Sequence, residues 1–229
     1  MIRPFRLMLT MLGLMFMSVV GAADLASLTA GESADGLRAA LNQAAAAAIS
    51  ELGRADGFFN NPEVKIPLPG KLEKARKTLR KLGLSKQVDA LDLAMNRAAE
   101  AAVPEARELF VQSIRQMSVT DALGIIRGSE SAATAYFRKS MSDKLTAKFM
   151  PIIGKATANE ELAQKYNAVA KKAQALGLVD DNDASLDAYV TRKALDGLFL
   201  VMSKEELAIR KDPAGQASAL LRKVFGGQP

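Results

Sequence analysis

Three residue types that build many active sites are absent from this chain: it has no cysteine, no histidine and no tryptophan. Without cysteine there is no disulfide and no thiol nucleophile. Without histidine neither a Ser-His-Asp triad nor an HExxH zinc motif can form. Most transition-metal sites use these same ligands, so we expect no metal site and no cofactor. Stability must therefore come from a packed hydrophobic core.

Motifs for nucleotide binding, for serine–lysine catalysis and for calcium binding are also missing. The chain has no P-loop, no dinucleotide-binding glycine fingerprint and no serine followed three residues later by lysine. The acidic run at 180–183 has the wrong register for a calcium loop, because the sixth position counted from Asp181 is Leu186. These absences argue against an enzyme. A hydrolase that uses two carboxylates stays open, with Glu100 and Glu105 as candidates, since such chemistry needs only two positioned acids.

The first 23 residues have the pattern of a secretory signal peptide. Arg3 and Arg6 precede an apolar run at 7–20 that is too short for a comfortable membrane span, and small residues follow at 21–23. No cysteine follows the run, so lipid attachment at a cleavage-site cysteine is excluded. We predict a periplasmic protein that begins at Asp24 and has no transmembrane segment after cleavage, and an uncleaved anchor is the alternative.

The charge of the chain is modestly positive. The formal net charge is +6, and removing Arg3 and Arg6 with residues 1–23 leaves 29 basic against 25 acidic residues, a net +4. Because no basic face with aromatic platforms stands out, we expect no nucleic-acid partner. A dense basic patch consists of Lys71, Lys74, Arg76, Lys77, Arg80 and Lys81. We favour a solvated helix face over an anionic-surface site for it.

The apolar periodicity is helical. Between residues 84 and 117, apolar residues recur at spacings of three and four, as expected for one face of a helix, and Pro104 predicts a kink or break within that stripe. Ser33 is the expected start of the first helix. Gly197, inside an apolar helix, suggests close backbone contact, and Ser203 with a glutamate three residues on predicts a further helix start.

No segment has the alternation of a β-strand. We therefore predict an all-α fold without a sheet, in which residues 24–32 form a flexible lead-in and residues 33–229 form a single compact domain of eight to ten helices.

A polar stripe runs beside the apolar one on the predicted helix at 85–102. It consists of Asp89, Asp92, Asn96 and Glu100, and Arg97 is placed to pair with Glu100 three residues away. One interpretation is a solvated acidic face, which we favour. The other is that Asn96, Arg97 and Glu100 point into a groove and form a polar network or ligand site.

A long irregular stretch at 53–69 contains four large apolar residues, which are Phe58, Phe59, Ile66 and Leu68. Irregular stretches of this length within a compact domain are usually packed down or functional. We favour side chains that fill the core over a lid or a partner-binding lip, and both remain open from the sequence.

Five more polar residues lie in apolar surroundings: Arg127, Thr134, Tyr136, Thr191 and Arg210. The two arginines are candidates to pair with Glu100 or with the glutamates at 205 and 206. Ion pairs at helix ends are the favoured interpretation, and a site for an anionic ligand is the alternative.

Several short segments together resemble the bacterial family named domain of unknown function 4197. They are DGFF at 56–59, IPLP at 66–69, MNRAAE at 95–100, DALGIIRG at 121–128, AATAYF at 132–137, YVT at 189–191, ALDGLF at 194–199, EELAIR at 205–210 and KVFG at 223–226. The resemblance covers nearly all of the predicted mature chain. It implies an exported helical protein and no particular activity. Many members of that family are lipoproteins, whereas this chain lacks the cysteine.

The leading functional hypothesis from the sequence is a non-enzymatic binding or interaction module in the periplasm. Its partner is not identified, and an envelope protein or an apolar or anionic small molecule would suit it. The alternatives are a carboxylate-dependent hydrolase acting on cell-envelope material and a purely structural envelope protein.

Overall fold

The computed structural model describes residues 29–158, 163–164, 166–167 and 185–211. Its regular elements are α1 (Ala30–Leu52), α2 (Gly70–Lys81), α3 (Ser85–Ala102), a 3-10 turn (Val103–Glu105), α4 (Ala106–Gln116), α5 (Val119–Ile126), α6 (Ala132–Thr157) and α7 (Leu186–Lys211). Residues 53–69, called here the long loop, join α1 to α2. Since no strand occurs in these ranges, the predicted all-α class is confirmed for them.

The helix count differs from the prediction. The described ranges contain seven α-helices and one 3-10 turn, fewer than the eight to ten helices expected from the sequence. One reason is that α7 continues through Ser203, where the capping pattern predicts a new helix. Val201, Met202 and Ile209 are buried on either side of Ser203, so packing overrides the local signal. Residues 212–229 and most of residues 159–184, which the prediction also assigns to the helical domain, lie outside the described residues.

The N-terminal boundary also differs. Helix α1 begins at Ala30, three residues before the expected start at Ser33, so residues 30–32 belong to the helix and not to a lead-in. Thr29 is the N-cap: its hydroxyl accepts from the amide N–H of Glu32, and the Glu32 carboxylate accepts from the Thr29 amide at 2.9 Å. The predicted signal peptide at 1–23 and residues 24–28 lie outside the described residues.

The two prolines within helical patterns behave differently. At Pro104 the chain forms the 3-10 turn that separates α3 from α4, as the sequence predicts. Pro151, however, lies within α6, which continues to Thr157. Pro151 is exposed while Phe149 and Ile153 beside it are buried, so water can satisfy the unpaired carbonyl while packing holds the helix.

The core lies between four long helices. Helices α6 and α7 pack against each other, α3 packs on α6, and α1 packs on α7 and on the shorter α4 and α5. Five fully buried phenylalanines fill the space between them: Phe58, Phe110, Phe137, Phe149 and Phe199. The alanine-rich face of α1 lets neighbouring backbones approach closely. None of the described helices combines the length and the apolarity needed to cross a bilayer.

Candidate functional site

Glu100 fastens the long loop to α3. Its carboxylate is 4 % exposed, and its Oε1 accepts from the amide nitrogens of Phe58 at 3.0 Å and Phe59 at 3.1 Å. Its Oε2 accepts from the Arg97 guanidinium at 2.6 Å, and the same guanidinium bonds to Asp56 at 2.6 Å. The expected Arg97–Glu100 pair therefore exists, but its role extends to a loop more than forty residues away along the chain.

Asn96 binds the backbone of the long loop at a second point, near the end that leads into α2. Its side chain accepts from the amide of Ile66 at 2.8 Å and donates to the Ile66 carbonyl at 3.0 Å, so it pairs with that backbone as a neighbouring strand would. From α7, the Tyr189 hydroxyl donates to the Pro67 carbonyl at 3.0 Å. Asn96 and Glu100 are thus directed at the loop and not at solvent, contrary to the favoured interpretation from the sequence, whereas Asp89 is exposed as that interpretation expects.

The apolar residues of the loop lie mostly in the core. Phe58, Ile66 and Leu68 are fully buried, while Phe59 is partly exposed and carries the Lys65 ammonium 4.1 Å from its ring centroid. At Gly197 an added Cβ would lie 2.8 Å from the Phe58 ring. The close contact expected at this glycine is therefore made by the Phe58 ring, which packs against α7. The loop is packed down at this point and not raised as a lid.

A second buried carboxylate, that of Glu206, joins three helices. It accepts from the amides of Ala133 and Thr134 at 3.0 Å each, and so caps the start of α6. Arg210 bonds to Glu206 at 3.0 Å and donates to the carbonyls of Ile125 at 2.9 Å and Ile126 at 3.3 Å, where α5 ends. An anion at a helix N-terminus and a cation at a helix C-terminus each stabilise the local dipole. Of the partners open to Arg210, the structure selects Glu206.

Glu100 and Glu206 therefore use the same chemistry. Each accepts from two consecutive backbone amides and pairs with an arginine one helical turn away on its own helix. The oxygens of a carboxylate held in this way are already bonded to fixed donors, which leaves it little freedom to attack a substrate. Its effect is to bind segments that are distant in sequence.

The other three polar candidates are not brought together with these clusters. Arg127 is exposed at the end of α5. Tyr136 is partly buried with its ring edge-on to Phe137, and burial, with a smaller contribution from Asp121, raises the pKa of its hydroxyl. Thr191 is 1 % exposed, and its hydroxyl has no hydrogen-bond partner among the described residues.

Three contributing acids were not selected as site candidates from the sequence. Asp56 has a left-handed backbone (φ 67°), and the glycine after it was the available signal. Asp92 is nearly buried, with one carboxylate oxygen 3.6 Å from Lys65 and 3.7 Å from Arg76. In the sequence, Glu206 belongs to a helix-start pattern with Ser203, but no helix starts there.

A pair of acids remains outside these clusters. Burial, and after it the negative charge of Glu51, raise the pKa of Glu205 on α7. Glu51 also accepts from the Asn61 side chain at 3.2 Å. Beside them an open depression of about 460 Å³ is lined by loop residues 54–57 and 60–62. Neither glutamate lines this depression, and no residue of α3 does, so it is not a groove into which Asn96, Arg97 and Glu100 point.

A family model described as a protein of unknown function, DUF4197, matches residues 27–226. The chain belongs to the DUF4197 family. Searches of curated proteins and of solved structures found no match. The resemblance stated from the sequence is thereby confirmed, and the geometry described above is that of a DUF4197 protein.

Proposed function

We propose that this DUF4197 protein is an exported, non-enzymatic interaction protein of the periplasm. The observation that carries the proposal is the state of its buried carboxylates: Glu100 and Glu206 are each bound by two backbone amides and one arginine. Groups held in this way build a rigid scaffold, and the signal-peptide pattern of residues 1–23 directs that scaffold to the periplasm.

Two measurements test the proposal. Cells expressing the full chain are fractionated by osmotic shock, and the intact mass of the released protein is determined. We expect a periplasmic chain that begins at Asp24, and an unprocessed cytoplasmic chain would overturn the export. Native mass spectrometry and in-cell crosslinking then follow. A crosslinked envelope protein or a retained small molecule supports an interaction role, and a clean mass with no crosslink favours the purely structural alternative.

The hydrolase alternative has to use different acids from those expected. Glu100 is tied to Arg97, which removes it as a free general acid, whereas Glu205 has a raised pKa beside Glu51. If isolated cell wall is degraded by the wild-type protein and not by Glu205→Gln, the non-enzymatic proposal is wrong. Glu130→Gln, a change to an exposed acid on another part of the surface, is the matched control and should leave any such activity intact.

A further inference from the structure

The positive charge of the chain is concentrated in one short segment. Residues 70–87 contain seven basic residues and one acidic residue, a net +6, which equals the formal net charge of all 229 residues. The rest of the chain is therefore formally neutral. A segment with this much charge has an electrostatic effect on its surroundings that the protein as a whole does not have.

Ion pairs with α3 set which face of α2 is turned outward. Arg76 lies 3.7 Å from Asp92, and Arg80 bonds to Asp89 at 2.5 Å, so both arginines face α3. Lys74, Lys77 and Lys81 lie together at helical spacing about a third of a turn from the arginines, are exposed, and pair with no carboxylate in the described part of the chain. The outer face of α2 is thus a row of unpaired ammonium groups.

An exposed leucine lies at the end of this row. Leu82 is 69 % exposed, more than the other large apolar residues in the described ranges. Its turn is fixed in place, since the amides of Leu82, Gly83 and Leu84 donate back to carbonyls of α2 and Gly83 has φ 82°. Lys86 is exposed just beyond it. The turn therefore presents an apolar side chain between lysines.

We propose that this basic tip, formed by Lys74, Lys77, Lys81, Leu82 and Lys86, docks on a bilayer that contains anionic phospholipid. Lysine ammonium groups suit a layer of diffuse phosphates, whereas the arginines, whose planar forks suit fixed partners, are engaged within the fold. A dissolved polyanion would leave Leu82 in water, while the headgroup region of a bilayer buries it. This inference names a partner for the proposed interaction protein and rests on that proposal.

Vesicle flotation tests the docking. The protein as recovered from cells is mixed with vesicles of phosphatidylcholine, alone or with phosphatidylglycerol. We expect binding to the mixed vesicles that weakens as salt is added. Replacing Lys77 and Lys81 by glutamine should lower the partition coefficient about twenty-fivefold, since each lysine near an anionic surface contributes about fivefold. Any retained leader is the same in every variant, so differences among the variants do not come from it.

Two comparisons distinguish binding by the basic tip from binding through the overall charge of the protein. Lys144→Gln with Lys148→Gln removes the same charge from exposed positions of α6 and should leave binding within about twofold of wild type. Leu82→Ser should weaken binding at every salt concentration without changing the melting temperature, because Leu82 is exposed.

Equal losses in the two lysine pairs, or equal binding to both vesicle types, would overturn the site. If soluble polyglutamate competes with wild type and Leu82→Ser alike, the partner is an acidic polymer and not a bilayer. Loss of the vesicle result alone leaves the crosslinking and mass measurements of the interaction role standing.

Discussion

Replacing Glu100 by alanine is the most direct test of the scaffold. The change removes one acceptor oxygen from the buried amides of Phe58 and Phe59 and the other from Arg97. A hydrogen bond to a charged group contributes about 1.5–3 kcal/mol, and buried donors left without an acceptor carry a further cost. The guanidinium of Arg97 keeps Asp56 and is partly exposed, so most of the loss comes from the two amides.

From these contacts we expect Glu100→Ala to lower the free energy of unfolding by about 3–5 kcal/mol. Because domains of this kind are stable by about 5–15 kcal/mol, the variant should still fold. Glu100→Gln keeps an acceptor oxygen for both amides and loses the charge and the oxygen that accepts from Arg97, which is partly exposed and keeps Asp56, so it should cost about 1–2 kcal/mol. Urea unfolding followed by circular dichroism measures both values.

Amide hydrogen exchange locates the effect. In Glu100→Ala, protection at Phe58 and Phe59 should fall, while the Ile66 amide, held by Asn96, should keep its protection relative to global unfolding. A loss below about 1 kcal/mol with unchanged protection at both phenylalanines would show that the carboxylate does not hold the loop, and the proposed scaffold role of this cluster would be wrong.

Three further changes test other parts of the structure. Gly197→Ala should cost about 1–3 kcal/mol in urea unfolding because its Cβ meets a phenylalanine ring at 2.8 Å, whereas Gly124→Ala, with nothing within 4 Å, should be neutral or stabilising. Thr191→Val should be neutral or stabilising by about 1 kcal/mol because its buried hydroxyl has no partner, whereas Thr157→Val, which loses bonded contacts, should destabilise by a similar amount. Glu205→Gln should raise the melting temperature at neutral pH, because the raised pKa of Glu205 means that its ionised form opposes folding. This gain should vanish below the ordinary glutamate pKa, where the carboxyl is protonated in the folded and the unfolded state. A gain that grew with falling pH would contradict the raised pKa.

Features that depend only on residues close together in the sequence could be predicted from local patterns. Three- and four-residue spacings predict helices, and the regular elements in the described part of the chain are all helical. The Arg97–Glu100 pair follows from i,i+3 geometry, and the break at Pro104 follows from the missing amide hydrogen. The close contact at Gly197 was inferred from its cost to a helix, although the sequence could not name the phenylalanine that meets it.

Only the tertiary structure assigned the remaining partners of the two buried glutamates. The capping pattern at Ser203 and Glu206 is local, yet Glu206 caps α6 more than seventy residues earlier, because α7 is held helical by its packed core face. The polar stripe of α3 had the composition of a solvated face, and the long loop instead covers its Asn96 and Glu100. Spacing along a helix determines which residues share a face. Whether that face meets water or backbone amides depends on how distant segments pack, since each buried donor must find an acceptor.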